Sequence, residues 1–238
     1  MTTPIAITFD WYGTLADHRP GIGRGRRFHE YLAAQGLSGA PWDRRVLYEV
    51  FDFYEGRYRP DLSDSEKSSF WTAFTRLLFE RARVHCLPDE IIVHADAISE
   101  IFGSRCFHLF PDVKETLSGL KASGLRLGLI SNWHGGLHYF CEELGIAQYF
   151  DAVVSSAEVG CEKPDPRIFR EALTRLCTLP GQTLHVGDSI DDDFRGAKAA
   201  GLDSVLVDRR GLHSGFSDRK VSDLHELRGI LARGELNK

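Results

Sequence analysis

Polar side chains that can support nucleophilic and metal chemistry follow short apolar segments of the chain. Asp10 comes directly after the apolar residues 5–9, and Asp188 follows another apolar run. An aspartate carboxylate can form a covalent intermediate, which divides one difficult displacement into two easier steps. Two carboxylates, together with water and substrate oxygens, make the oxygen-rich ligand set that Mg²⁺ prefers. These residue types therefore predict a nucleophile, Asp10, beside a magnesium site.

Further side chains have the chemistry to hold an anion at the same place. Ser131 and Asn132 offer a hydroxyl and an amide as hydrogen-bond donors, and the ammonium of Lys163 offsets negative charge on nucleophile and substrate. Prolines at positions 164 and 166 stiffen the backbone beside Lys163, which favours a fixed position over that of an ordinary surface lysine. Gly13 lets the backbone turn tightly after the nucleophile, and Thr14 can offer its hydroxyl to the transferring group.

The elements that must position these residues alternate between helix and strand from about residue 108 onward. Apolar periodicity and glycine stops predict helices over 112–123, 137–144, 167–177 and 193–200, and strands over 125–131, 152–155, 183–186 and 204–207. With a first strand over 5–9, this alternation predicts an α/β fold built on a doubly wound parallel sheet. Such sheets bind ligands at the carboxyl ends of their strands, which is where the polar residues occur.

Residues 28–102 follow a different, purely helical pattern. Apolar residues recur at spacings of three and four in four stretches, the last of which begins after Pro88. This pattern predicts an all-helical insertion after the first strand. The predicted domains are therefore a core of residues 1–16 and 108–238 and a helical insertion of residues 17–107.

The composition limits the classes of partner that we expect. A formal net charge of −5 over 238 residues gives no electrostatic reason to expect nucleic acid or an anionic membrane. The basic run 23–27 is interpreted as a solvated helix start. Five scattered cysteines without a Cys-x-x-Cys pair indicate reduced, structural thiols. Neither a secretory leader nor an apolar segment of membrane length is visible, so we expect a cytoplasmic protein.

Four segments resemble, in order, the motifs of the haloacid dehalogenase-like superfamily. They are Asp10-Trp-Tyr-Gly-Thr-Leu15, the pair Ser131-Asn132, Lys163 with the following Pro-Asp-Pro, and the segment from Gly187 to Asp193 that precedes Gly196-Ala197. The resemblance covers roughly residues 5–15 and 107–207. Each motif is weak evidence alone, but the complete set in the family's order is specific.

The resemblance implies a Rossmann-like core with a helical cap inserted after the first strand. It implies hydrolysis through an aspartyl intermediate on Asp10, with Mg²⁺ as the cofactor. The backbone carbonyl of Tyr12 is implied as a ligand beside Asp10 and Asp188, and Asp193 is expected to support the ion through water or hydrogen bonds. The expected substrate is a small phosphorylated metabolite, over which the cap closes.

Tyr12 departs from the phosphatase pattern of this superfamily. Members that act as phosphatases usually carry at this position a second aspartate, which protonates the leaving group and later activates water. A phenol with a pKa near ~10 is a poor substitute at pH 7. Tyrosine here resembles the 2-haloacid dehalogenase branch, which needs no metal, whereas Gly-Asp-Ser at 187–189 resembles the metal-binding form of the fourth motif.

Three functions therefore remain open. A phosphatase-type hydrolase is favoured, because two carboxylates such as Asp10 and Asp188 repel each other unless a cation or proton intervenes. The second is a metal-independent 2-haloacid dehalogenase, for which Arg44, Arg45 and Arg57 are candidate halide ligands. The third is a protein without catalytic activity that binds a phosphorylated ligand or a partner. The sequence does not indicate the oligomeric state.

Overall fold

The computed structural model describes residues 4–18, 23–41, 43–53, 57–58 and 61–233. In chain order the strands are β1 (Ala6–Phe9), β2 (Ala16–His18), β3 (Phe107–Leu109), β4 (Arg126–Ser131), β5 (Ala152–Ser155), β6 (Thr183–Gly187), β7 (Asp203–Val207) and β8 (Lys220–Val221). The α-helices are α1 (Arg24–Ala34), α2 (Arg44–Asp52), α3 (Asp64–Arg81), α4 (Ile91–Phe102), α5 (Val113–Ala122), α6 (Leu137–Glu143), α7 (Ser156–Val159), α8 (Pro166–Leu176), α9 (Gly196–Ala199) and α10 (Leu224–Ala232). A π-helical segment, Ile190–Arg195, leads directly into α9.

Six strands form one sheet with the order β5-β4-β1-β6-β7-β8, and β2 pairs with β3 separately. Neighbouring strands of the large sheet are parallel, with Ile7 of β1 opposite Leu127 of β4 and Leu184 of β6. All residues of β1 are buried, as expected for a central strand covered on both faces. The predicted α/β fold with a doubly wound parallel sheet is confirmed. The sheet winds outward in both directions from β1, so the crevice beyond the carboxyl end of β1 is the expected ligand site.

The helices beside the sheet are held by apolar packing. An apolar cluster joins β4, β5, α8 and α9 through the buried residues Ile130, Val154, Ile168, Phe169, Ala172, Leu173, Ala197 and Leu202. The Ile, Val, Phe and Leu side chains of this cluster each contribute about 1.5–3 kcal/mol when they are fully buried. Helix α8 begins at Pro166 because Asp165 caps it by accepting a hydrogen bond from the Arg167 N–H. The anchored start of α8 fixes one end of the loop that carries Lys163.

The chain forms two compact units. The first comprises Met1–Asp17, Leu109–Trp133 and Gly145–Lys238 and contains the parallel sheet, and the second comprises His18–His108 and His134–Leu144. The predicted boundary differs from this division, because it assigns residues 134–144, which include α6, to the core. Helix α6 belongs to the helical unit instead. That the helical unit acts as a cap stays a prediction.

Aromatic side chains form the core of the helical unit. Phe28, Phe51, Phe74, Phe79 and Phe102 are completely or almost completely buried. The ring centres of Phe28 and Phe102 lie 5.7 Å apart in an edge-to-face arrangement, a favoured geometry for aromatic pairs. The predicted helices of this region are confirmed. Within the described ranges, no helix combines the length and the apolar composition needed to cross a bilayer.

The basic run 23–27 is solvated only in part. Arg26 is exposed, as predicted, but the interpretation is wrong for Arg24, whose side chain is buried. The guanidinium of Arg24 lies 4.7 Å from the ring centre of Phe107 and 5.1 Å from that of Phe51. Arg24 precedes Phe28 by four residues and therefore lies on the same, inward face of α1.

Candidate active site

Asp10 is the first residue after β1, and its carboxylate is almost completely buried. The Asp10 N–H donates to the Val186 carbonyl at 2.9 Å, which continues the pairing of β1 with β6 by one residue. The sheet therefore sets the position of the backbone that carries the predicted nucleophile. Burial raises the pKa of Asp10 to about 6, against the opposite effect of the Lys163 ammonium.

Lys163 brings a buried cation against two carboxylates. Its Nζ lies 2.6 Å from Asp10 Oδ1 and 2.5 Å from Asp193 Oδ1. A third hydrogen bond joins Nζ to the Ile130 carbonyl at 3.2 Å. Burial disfavours the charged ammonium, but the two carboxylates outweigh this effect and raise the pKa of Lys163 above its ordinary value. Lys163 is therefore charged at neutral pH and links the nucleophile to Asp193.

Both carboxylate oxygens of Asp193 accept hydrogen bonds from the protein. Oδ1 bonds to Lys163 and lies 3.1 Å from His185 Nε2, and Oδ2 accepts from the Ser189 N–H at 3.0 Å. Burial alone would raise the pKa of Asp193, but Lys163 and His185 hold it well below the ordinary value. Because an ionised carboxylate only accepts, His185 Nε2 carries the proton, and Nδ1 accepts from the Thr8 hydroxyl at 2.9 Å. His185 is thus a fully bonded buried residue that also contacts a site carboxylate.

Asp188 follows β6 and lies against the turn at Gly13. A Cβ atom added to Gly13 would lie 2.1 Å from Asp188 Oδ2, and Gly13 has a φ of +85°. Both observations require glycine at this position. Burial raises the pKa of Asp188 to about 7, and the charges of Asp10 and Asp193 add to the increase.

Three acidic side chains converge at this edge of the sheet. Asp10, Asp188 and Asp193 each offer a carboxylate oxygen, and these oxygens lie within 4.8 Å of one another. Among the described residues of this cluster, Lys163 supplies one positive charge beside three carboxyl groups. The donors are hard oxygens, and their mutual repulsion is the kind that a divalent cation removes. The residues present therefore fit Mg²⁺.

The predicted anion-binding residues have different surroundings. Ser131 Oγ donates to Asp10 Oδ1 at 3.4 Å, a long hydrogen bond between buried groups. The Thr14 hydroxyl is buried and bonds to none of the described residues. Both atoms of the Asn132 amide bond to the backbone of Lys163. The sequence predicted a common anion-binding role for Ser131, Asn132 and Lys163, whereas the Asn132 amide is directed at Lys163 itself.

The phenol of Tyr12 is bonded to a pair of charged residues that lie outside the four motifs. Asp17 and Arg210 both hydrogen-bond it, and their side chains lie 2.5 Å apart. Burial and the charge of Asp17 raise the pKa of Tyr12 above its ordinary value. The phenol is therefore neutral at pH 7. The raised pKa makes Tyr12 a weaker proton donor than a carboxylic acid, and the neutral phenol is not a base that can activate water.

Arg209 holds the backbone that follows the nucleophile. Its Nε donates to the Thr14 carbonyl at 2.9 Å, and its Nη1 lies 3.0 Å from Asp112 Oδ2. Asp112 Oδ2 also accepts from the Leu224 N–H at 2.7 Å. Arg209 could not be predicted from the sequence, because nothing local relates a residue after β7 to a turn that precedes it by 195 positions.

The candidate halide ligands lie in the helical unit. Arg45 is largely exposed and pairs with Asp43, and the guanidinium of Arg57 lies 4.1 Å from the ring centre of Phe53. The side chain of Arg44 lies outside the described residues. A halide-binding role for any of the three stays a prediction.

Comparison with known proteins places the fold and motifs in a family. A family model described as haloacid dehalogenase-like hydrolase matches residues 6–201. Haloacid dehalogenase-like hydrolase domain-containing protein 3 of Mus musculus is 43% identical over 114 residues, which are 48% of this chain and 45% of that protein. The match spans about half the length of this relative and of the Bos taurus protein of the same name.

Two further relatives match along almost the whole chain. Phosphoglycolate phosphatase of Salmonella typhi is 41% identical over 232 residues, which cover 92% of this chain and 85% of that protein. The crystal structure of 2-haloacid dehalogenase from Pseudomonas syringae pv. Tomato DC3000 has a TM-score of 0.62 at 28% identity and covers 97% of this chain and 99% of its own. The chain belongs to the haloacid dehalogenase-like hydrolase family, as its four motifs predict.

Proposed function

We propose that this chain is a magnesium-dependent, phosphatase-type hydrolase that acts on a small phosphorylated metabolite through the carboxylate of Asp10. The observation that carries the proposal is the convergence of Asp10, Asp188 and Asp193 to within 4.8 Å around a single buried lysine. A dehalogenase that works without metal has no evident need for Asp188 at this place. The similarity to a phosphoglycolate phosphatase along 92% of the chain supports the same class of reaction.

Asp10 and Asp188 would hold the ion directly, and the Tyr12 carbonyl is proposed as a third ligand. Asp193 would support it indirectly, because both of its oxygens already accept hydrogen bonds from Lys163, His185 and Ser189. When bound, Mg²⁺ supplies positive charge that offsets repulsion between the nucleophile and the phosphoryl oxygens. Phosphate monoesters carry that negative charge on the reacting group itself at neutral pH, whereas the carboxylate of a 2-haloacid is bonded to the reacting carbon, C2, and is not part of it.

The proposed reaction has two chemical steps, formation and hydrolysis of an aspartyl phosphate on Asp10. In the first, an oxygen of Asp10 forms a bond to phosphorus while the bond from phosphorus to the ester oxygen breaks, and the ester oxygen leaves with the electron pair and takes a proton from water. In the second, water attacks phosphorus, the aspartyl phosphate bond breaks, and orthophosphate and the free carboxylate result. The Lys163 ammonium and the Ser131 and Thr14 hydroxyls would hold the phosphoryl oxygens, positioned by the sheet before the substrate arrives.

Because Tyr12 occupies the position of the usual acid, we expect the reaction rate to depend strongly on the leaving group. A phenol whose pKa is raised above its ordinary value is a much weaker acid than a carboxylic acid, so it protonates a departing alkoxide poorly. Esters whose leaving group is stable without a proton, such as p-nitrophenyl phosphate, should therefore react much faster than alkyl phosphates of similar affinity. Equal rates for the two classes would contradict this reading of Tyr12.

The second candidate, a 2-haloacid dehalogenase, is favoured by the same residue. Tyr12 matches the first motif of that branch, and a solved 2-haloacid dehalogenase is 28% identical to this chain. In that reaction an oxygen of Asp10 forms a bond to C2 of the haloacid, the halide leaves with the electron pair, and water hydrolyses the resulting ester. The reaction needs no metal and should survive a chelator.

One experiment separates the candidates. Purified protein is assayed for orthophosphate release from a panel of phosphate esters and for halide release from 2-chloropropionate, each with Mg²⁺ and with EDTA. We expect phosphate release that depends on Mg²⁺ and is abolished by Asp10→Asn. Halide release that persists in EDTA would establish the dehalogenase instead, and inactivity in every assay would favour the protein without catalytic activity.

A matched pair of variants tests the role of the acidic segment. Asp193→Asn should lower activity strongly, because it removes the carboxylate charge that pairs with the Lys163 ammonium. Asp191→Asn changes the same residue type two positions earlier, where the carboxylate is 75% exposed and bonds only to Arg195 among the described residues. The control variant should keep the activity of the unmodified protein.

A further inference from the structure

Asn132 and Lys163 are joined by two hydrogen bonds in which one residue uses both its backbone N–H and its backbone carbonyl, as a residue in a paired strand does. The Lys163 N–H donates to Asn132 Oδ1 at 2.6 Å, and Asn132 Nδ2 donates to the Lys163 carbonyl at 3.0 Å. These partners fix the orientation of the amide, because an N–H requires the oxygen and a carbonyl requires the NH₂ group. A side-chain amide here takes the place of a peptide unit.

The two bonds tie a loop to the end of β4. Asn132 follows Ser131, which pairs with Ser155 as the last registered residues of β4 and β5. Beyond that point the chain continues through α7 to Lys163, so its backbone no longer lies in the sheet. The Asn132 amide supplies the donor and the acceptor that the sheet would otherwise provide.

The other end of Lys163 is fixed from the same strand. Its Nζ donates to the carbonyl of Ile130, two residues before Asn132, and to Asp10 and Asp193. Lys163 is thus held at its backbone and at its ammonium by residues at the end of β4. A long, flexible side chain needs both anchors if its charge is to be kept at one place.

We infer that Asn132 is a positioning residue that acts through Lys163 rather than a direct ligand of the substrate phosphoryl group. The inference rests on the proposed function only in its choice of reaction. It replaces the common anion-binding role that the motif predicts for Asn132. The Asn132 amide has a second N–H, so experiment must separate an effect through Lys163 from a direct contact with substrate.

A double-mutant cycle makes that separation. Asn132→Ala should lower kcat/KM about 10- to 100-fold, since displacement of a catalytic group by about 1 Å has effects of that size. In the Lys163→Met background the same substitution should lower it less than about threefold, because the group on which Asn132 acts is absent. Equal losses in both backgrounds would overturn the inference. Gln148→Ala removes an exposed amide that bonds to the Gly145 carbonyl at 3.1 Å and serves as the control.

Hydrogen exchange tests the same contact without any activity. The Lys163 amide should be protected in the unmodified protein, should exchange at least about tenfold faster in Asn132→Ala, and should stay protected in Asn132→Asp, which keeps the acceptor oxygen. Amides of β1 should not change. Unaltered exchange at Lys163 in Asn132→Ala would overturn the inference even if phosphatase activity is found. If the exchange pattern is as expected and no phosphate ester is hydrolysed, the proposed function fails and the contact stands.

Discussion

Replacement of Lys163 by methionine should reveal how much the buried charges depend on one another. The Lys163 side chain is only 2% exposed and bonds to carboxylates that are 8% and 2% exposed, at 2.6 and 2.5 Å. Methionine keeps much of the side-chain volume but removes the charge. Removal of one partner from a buried ion pair costs about 3–5 kcal/mol, because the remaining charges are left uncompensated.

Lys121 offers a matched control in the same unit. Its Nζ bonds to both oxygens of Asp151 at 2.8 and 2.9 Å, but the two side chains are 32% and 37% exposed. Pairs exposed to solvent contribute about 0–1 kcal/mol. Thermal denaturation should therefore show a fall in Tm of roughly 6–20 °C for Lys163→Met, at 2–4 °C per kcal/mol in a chain of this size. Lys121→Met should lower it by less than about 4 °C.

The pH dependence provides a further check on the same variant. Without the ammonium, the pKa values of Asp10 and Asp193 should rise in the folded state. The folded state then binds more protons than the unfolded state above about pH 4, so its stability falls as the pH rises. The stability that Lys163→Met loses relative to the unmodified protein should thus be larger at pH 8 than at pH 4.5, and Mg²⁺ should reduce this loss. A deficit that is independent of pH, or equal for the two lysines, would refute the reasoning.

Three other perturbations have definite expected outcomes. In the unmodified protein with EDTA, the pKa values of Asp10 (about 6) and Asp188 (about 7) lie above the ordinary 3.8. Folding therefore takes up protons between about pH 4 and pH 7, and thermal stability should fall as the pH rises through that window, by up to roughly 7 kcal/mol for shifts of about 2 and 3 units at about 1.4 kcal/mol per pKa unit. Mg²⁺ should flatten the profile. Gly13→Ala should lose Mg²⁺ affinity in a calorimetric titration, because the added Cβ displaces Asp188. Arg209→Met should lower kcat about tenfold in steady-state assays, because it releases the Thr14 carbonyl in the backbone beside the nucleophile.

The two substitutions have matched controls in the chain. Gly124 has a φ of +81° and open space where a Cβ would lie, so Gly124→Ala has the backbone strain of about 1–3 kcal/mol without the clash. Undiminished Mg²⁺ affinity in Gly13→Ala would contradict the geometry of the turn. Arg219 bonds to Asp203 at 2.8 Å, and neither residue belongs to the proposed site. If Arg219→Met slowed the reaction as much as Arg209→Met, the lower kcat would follow from the loss of any arginine ion pair and not from release of the Thr14 carbonyl. A stability profile that rises with pH in EDTA would contradict the shifts at Asp10 and Asp188.

The sequence by itself determined the order and type of the main elements. The predicted strand over 152–155 has the observed bounds, and the four helices between residues 24 and 102 are present. Apolar periodicity and glycine stops are local signals, so they can be read without the fold. β8 has two residues and β2 and β3 have three, which is too short for alternation to be visible. The predicted helix over 193–200 begins earlier, as the π-helical segment from Ile190, because Ser189 caps it.

The sequence also determined which residue types can do the chemistry, because they stand in motifs at the ends of strands. Only the tertiary structure decided their contacts. Arg24 is buried because of the helix face that it shares with Phe28, and the Asn132 amide faces the backbone of Lys163. His185 forms hydrogen bonds with both Thr8 and Asp193, and no spacing in the sequence predicts these contacts. Residue type is a property of the chain, whereas the direction of a side chain and the shift of its pKa depend on atoms that are remote in sequence and adjacent only after folding.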